Sequence, residues 1–264
     1  MENEEKVILI SEEIEVPIED ISKKTKKSII NQNQIAGAII IAGFLIAGAI
    51  LLKEGGTTTP TDPIKLEAKL TKSIPTFSNC LDSGKYAQAV IDSTSLGNKA
   101  GVNGTPKGFI LKDNKVVATI DGAEPTKMTT DKIDKALNDS NSKEIANKLD
   151  PVSEKDFVLG NQNVPITIVL YVDFQCPFCG KFFKETEQTV LANYVKDGKV
   201  KLVSRDFAFL GDESLKSAEA TRCANDQGKF WEYHDYLFTH QKGENRGDFS
   251  NLNLKTFAKE LGLE

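Results

Sequence analysis

The chain has 264 residues, 39% of them hydrophobic and 27% charged, which suffices for one well-packed domain with appendages or for two small domains. A formal net charge of -5 and a pI near 5.3 argue against a basic phosphate-binding surface and so against nucleic acid as a partner. Two histidines, His234 and His240, and four cysteines offer a single close ligand pair, so no metal is expected.

The first strong signal in chain order is residues 35–52, IAGAIIIAGFLIAGAILL, eighteen residues without a charge. That length and composition predict one transmembrane helix. Lys23, Lys24, Lys26 and Lys27 precede it, whereas Lys53 follows it and is cancelled at once by Glu54. The positive-inside bias puts the N-terminus in the cytoplasm and everything after Lys53 outside the cell membrane. Ala47-Gly48-Ala49 has the look of a signal-peptidase site, but the apolar run continues through Leu52, which favours a retained signal-anchor. Residues 1–34 then form an acidic cytoplasmic tail without a readable motif, and residues 53–69, which open with a Gly/Thr/Pro-rich stretch, form a linker.

Short helical patterns extend to about Ala100. Residues 108–120, GFILKDNKVVATI, carry two β-rich runs around a polar turn, a hairpin pattern. Thr129 or Thr130 is the expected cap of a helix ending near Leu137, and the polar residues 138–150 read as a joining linker. Residues 165–174, PITIVLYVDF, suit a strand buried on both faces. Residues 180–195 have helical periodicity, 200–205 alternate as a strand, and 214–264 are mostly helical. The order strand, CxxC, helix, strand is that of a parallel βαβ crossover with a cysteine pair at the head of its helix.

That pair is Cys176-Pro177-Phe178-Cys179. A helix N-terminus offers partial positive charge and free N–H groups that stabilise a thiolate at Cys176. Cys179, one turn on, is close enough to close a disulfide or to resolve a mixed one. Pro177 occupies a position where its missing N–H costs nothing. A zinc knuckle or a purely structural disulfide shares the spacing, but export, the preceding strand and the internal proline favour redox chemistry.

With these residues the chain resembles the DsbA-like thioredoxin-fold thiol–disulfide oxidoreductases, in particular their membrane-anchored bacterial branch. The matching stretches are residues 158–183, 223–238, 77–90 and 100–110. The resemblance implies an α/β thioredoxin-like fold with a helical insertion, but the halves come in the wrong order, since the CxxC half should precede FSNCLDSGKY and GVNGTP. A circularly permuted domain over residues 70–264 is therefore expected, with 70–137 as the usual C-terminal half, 138–150 as the joining linker and 151–264 as the usual N-terminal half. Half-domains complementing each other in a swapped dimer, or an artefactual gene order, are the rivals.

The same resemblance implies that Thr105-Pro106 is the cis-proline loop facing the cysteines, where the local sequence alone would read as an ordinary turn. It places Cys80 and Cys223 in the helical region, either as a structural disulfide or as two free buried thiols. Two departures concern the strength of oxidation: no histidine stands between the cysteines, and Leu170 replaces the buried acid often found six residues before the first. Asp173 is nearer but falls on the opposite strand face. Trp231, with Phe230, Tyr233, Tyr236, Leu237 and Phe238, marks an aromatic helix expected to pack in the core.

The resemblance further implies an extracytoplasmic enzyme acting on cysteine-containing exported proteins as a disulfide donor, without a cofactor, and recycled by a quinone-linked membrane partner. Reversed, the same residues would serve a reductase or isomerase. The alternative from another class is a non-catalytic thioredoxin-fold binding or assembly module.

Overall fold

The computed structural model describes residues 76–264, so the tail, anchor and linker expected over residues 1–69 lie outside the described residues. Among the described residues no helix is long and apolar enough to cross a membrane. The elements run α1 (Phe77–Asp82), α2 (Ala87–Lys99), β1 (Lys107–Lys112), β2 (Lys115–Asp121), α3 (Thr126–Asn138), β3 (Phe157–Leu159), β4 (Ile166–Val172) and α4 (Pro177–Phe182). After α4 come a π-helical turn Phe183–Glu187, α5 (Gln188–Val190), a second π-helical turn Leu191–Val195, β5 (Val200–Asp206), α6 (Asp212–Asn225), α7 (Phe230–His240) and α8 (Asn251–Glu260).

A mixed five-stranded sheet has the order β2-β1-β4-β5-β3. β4 and β5 are parallel, joined by the crossover that begins at α4, while β1 pairs antiparallel with β2 on one side and with β4 on the other. All seven residues of β4 are buried. Its Ile166, Ile168, Leu170 and Val172 face the larger core cluster, which also takes in Phe77, Ile133, Phe182, Tyr233 and Phe249. Its Val169 and Tyr171 face a smaller cluster with Phe109, Val203 and Phe207. Apolar burial at about 1.5–3 kcal/mol per large side chain makes this strand the anchor of both layers. Helix α2 lies close against the second face: a Cβ at Gly97 would come within 2.7 Å of the Phe207 ring, so only glycine permits that approach.

Several sequence expectations meet the structure with small corrections. The hairpin forms as read, with Asp113 and Asn114 at positive φ supplying a tight two-residue turn. Helix α3 starts at Thr126 behind Pro125, earlier than a cap at Thr129 or Thr130 would put it, because the Thr129 hydroxyl is occupied by Glu124 Oε1 at 2.8 Å. Its C-terminal end is held by Lys112, whose Nζ donates to the carbonyls of Ala136 at 2.8 Å and Asp139 at 2.9 Å. Residues 142–153 contain neither helix nor strand, as expected of a linker, but they are not loose. The Ile145 N–H donates to Val116 O at 2.7 Å, and the buried Arg205 guanidinium donates to the carbonyls of Asp150 and Pro151 while pairing with Asp156. Strand β3 went unread because three residues carry no period; it is defined by pairing with β5.

The two sequence halves meet within one chain. β1 from the first half hydrogen-bonds to β4 of the second. The Phe77 N–H also meets the Glu264 carbonyl, so the beginning of α1 adjoins the C-terminus.

Candidate redox site

The chain leaves β4 at Val172 and turns through Asp173, Phe174 and Gln175 before α4 begins. Asp173 fixes that turn. Its carboxylate accepts from Gln175 N at 2.9 Å, Ser214 Oγ at 2.7 Å, Phe209 N at 3.0 Å and Leu210 N at 3.2 Å. Burial pushes the Asp173 carboxyl up, and the Ser214 hydroxyl and the backbone donors pull against it. The side chain thus braces the loop; it lies past the strand end, and Leu170 packs in the larger core cluster as an ordinary apolar residue.

Cys176 is the N-cap of α4 and Pro177 its first residue. The proline cannot donate at this point, and the free N–H groups of the first turn face the Cys176 sulfur. Cys176 and Cys179 are both buried thiols here, and Phe178 between them is 64% exposed. Thr105-Pro106 is a cis peptide bond, and the Thr105 carbonyl lies 3.4 Å from Cys176 Sγ. The structure therefore gathers Cys176, Pro177, Phe178, Cys179, Thr105 and Pro106 at one place.

The two thiols are driven apart electrostatically. Cys176 is lowered from 9.0 to about 6, foremost by a hydrogen bond from the Cys179 thiol, against the opposing effect of burial. The Thr105 hydroxyl and the N–H groups of Cys179 and Phe178 add to the lowering. Cys179 moves the other way: burial, then the adjoining Cys176, hold its thiol well above the usual range. One sulfur is thus disposed to be thiolate and the other to hold a proton.

The second cysteine pair lies elsewhere. Cys80 and Cys223 form a disulfide that joins α1 to α6 across 143 residues. Trp231 is half-buried rather than central. Its indole N–H donates to Val158 O at 3.3 Å, whereas Tyr233, Leu237 and Phe238 of the same helix fill the core.

Residues 152–263 match the family model described as Thioredoxin. Residues 152–263 are thus similar to the thioredoxin family, within a mixed α/β thioredoxin-like fold. Among curated relatives, a 113-residue stretch is 33% identical to the Na(+)/H(+) antiporter NhaA 1 of Salinispora arenicola, covering 42% of this chain and 16% of that protein. A probable disulfide bond formation protein D of Bacillus anthracis is 29% identical over 104 residues, 39% of this chain and 48% of the relative. The chain thus spans half or less of the curated relatives it matches. Among solved structures, alpha-DsbA1 of Wolbachia pipientis has a TM-score of 0.39 at 22% identity, covering 43% of this chain and 57% of the other.

One thioredoxin-domain residue escaped the sequence reading. Gln241, just after α7, donates through Nε2 to the carbonyls of Phe174 and of Cys176, the latter at 2.9 Å, and so ties α7 to the turn that presents the cysteines. The signal was Gly180: any Cβ there would collide with the Gln241 amide, so the glycine after Cys179 marks a close approach.

Proposed function

We propose that this protein is an extracytoplasmic thiol–disulfide oxidoreductase that donates disulfides to cysteines of exported proteins. The observation that carries the reading is geometric: Cys176 caps α4 one turn before Cys179, and its Sγ lies 3.4 Å from the Thr105 carbonyl at the cis Thr105-Pro106 bond, an environment that lowers the Cys176 pKa to about 6 and raises that of Cys179. A stabilised thiolate at Cys176 stabilises the reduced pair, which makes the oxidised pair the stronger oxidant. Similarity to a relative called disulfide bond formation protein D points in the same direction.

The reaction starts from the Cys176–Cys179 disulfide. A client thiolate attacks Cys176 Sγ, the bond between the two sulfurs breaks, and Cys179 leaves and takes up a proton, as its raised pKa favours. A second client thiolate then attacks the client sulfur of the mixed disulfide and expels Cys176 as thiolate, a good leaving group because of its low pKa. The client loses two electrons and the pair gains them. The Thr105 carbonyl and the exposed Phe178 ring between the cysteines provide a backbone acceptor and apolar surface for an extended client segment beside Cys176.

Residues 35–52 would hold the domain at the outer face of the membrane, where a quinone-linked membrane partner would reoxidise the pair. The domain is a circular permutation, with residues 138–150 joining the usual ends. The meeting of Phe77 with Glu264 and the Cys80–Cys223 bridge support this arrangement, because both lie where the opened ends would fall.

The test uses the oxidised intact chain with a reduced dithiol peptide. Transfer of one disulfide per chain, abolished in Cys176→Ser, is expected. Absent transfer, or transfer that survives Cys176→Ser, would overturn the proposal.

A further inference from the structure

Behind the redox motif, three side chains used by no step above converge. Glu187 ends the first π-helical turn and is 2% exposed; His234 on α7 is 0% exposed; Asp235 beside it is half-exposed. One ligand atom from each lies within 4.8 Å of the other two. Glu187 Oε1 and His234 Nε2 have no hydrogen-bond partner.

A buried carboxylate oxygen and a buried imidazole nitrogen left unpaired are costly, on the order of 1–3 kcal/mol each. The walls give no relief. Rings of Phe174, Phe183, Phe230, Trp231 and Phe238 stand 4.9 to 6.0 Å from the His234 ring. We propose that Glu187, His234 and Asp235 bind one divalent transition-metal ion of the zinc class.

One imidazole nitrogen and two carboxylate oxygens, with water in a fourth position, form a donor set that zinc accepts in tetrahedral geometry. Zinc bonds of about 2.0–2.1 Å would draw the three donors to roughly 3.3 Å from one another. Asp235 Oδ1 lies 2.9 Å from His234 Nδ1, and the half-exposed Asp235 carboxylate supplies the movement by rotating from that contact toward the ion and offers the entry path, since the other two residues are closed in. A cation arriving there supplies the partner that the buried Glu187 Oε1 and His234 Nε2 lack. The bound ion would clamp the π-helical turn that follows the CxxC helix onto α7.

The test is calorimetric titration of zinc chloride into the metal-stripped intact chain, with both disulfides closed so that Cys176 and Cys179 cannot act as ligands. One zinc per chain and a rise in melting temperature are expected. Asp235→Asn and Glu187→Gln, each checked for folding by circular dichroism, should each weaken binding about tenfold or more. His240→Gln, on the far end of α7, should leave it unchanged. Absent saturable binding, or wild-type affinity in either folded carboxylate variant, would overturn the site.

Discussion

The thiol of Cys176 lies 3.4 Å from the carbonyl oxygen of Thr105, a residue 71 positions earlier in the chain. The contact joins the two halves of the sequence at the site where the chemistry is proposed. Thr105 also presents a buried hydroxyl that has no hydrogen-bond partner and is free to turn its proton toward a thiolate at Cys176, which would lower the Cys176 pKa. Thr105→Val keeps the shape and removes that donor, so the Cys176 pKa should rise by about half to one unit. Rates of iodoacetamide alkylation against pH would show it; an unchanged midpoint would remove Thr105 from the site's electrostatics.

Cys179 should matter more, because its thiol is the foremost cause of the lowering. In Cys179→Ala the alkylation midpoint of Cys176 should move up from about 6 by at least one unit or so. The sign also governs stability. Cys176 has a folded pKa below its ordinary 9.0, so the reduced form's thiolate contribution is complete above about pH 9 and fades as pH falls toward 6. Reduced wild type should therefore lose more stability than Cys179→Ala between pH 9 and pH 6 in urea unfolding.

The Cys80–Cys223 bridge closes a loop of 143 residues far from the redox pair in sequence. Converting both cysteines to alanine should cost about 2–5 kcal/mol in denaturant unfolding. Disulfide transfer by the folded fraction should persist. Loss of transfer in a folded double variant would place this bridge in the redox chemistry.

Residues 143–148 are exposed and lie between the halves. Protease nicking there should give two fragments that migrate together on a non-reducing gel and separate on reduction, held by Cys80–Cys223. The intact chain should run as a monomer without reductant. A disulfide-linked dimer would favour exchange of halves between chains.

How much of this could be read from the sequence depends on range. β4 was legible because seven consecutive buried positions require an apolar run, and the hairpin because Asp113-Asn114 sits between two β-rich segments. Cys176, Pro177 and Cys179 were legible because their spacing is itself the chemistry. Thr105-Pro106 and Cys80–Cys223 came from resemblance, since no local pattern brings residues 71 or 143 positions apart together. The Gln241 brace, the Asp173 loop anchor and the Glu187–His234–Asp235 cluster stayed hidden for the same reason. They are tertiary contacts, and a glutamate in a helical pattern reads as surface until the fold buries it.

The central claim, that Cys176 and Cys179 form a working redox pair, is tested most directly by its reduction potential, measured on the intact chain by glutathione equilibration with thiol trapping. A reversible two-electron transition at roughly -120 to -180 mV is predicted for a disulfide donor. A value near -270 mV would contradict donation and indicate a reductase, and resistance to reduction below about -300 mV would contradict the redox assignment itself.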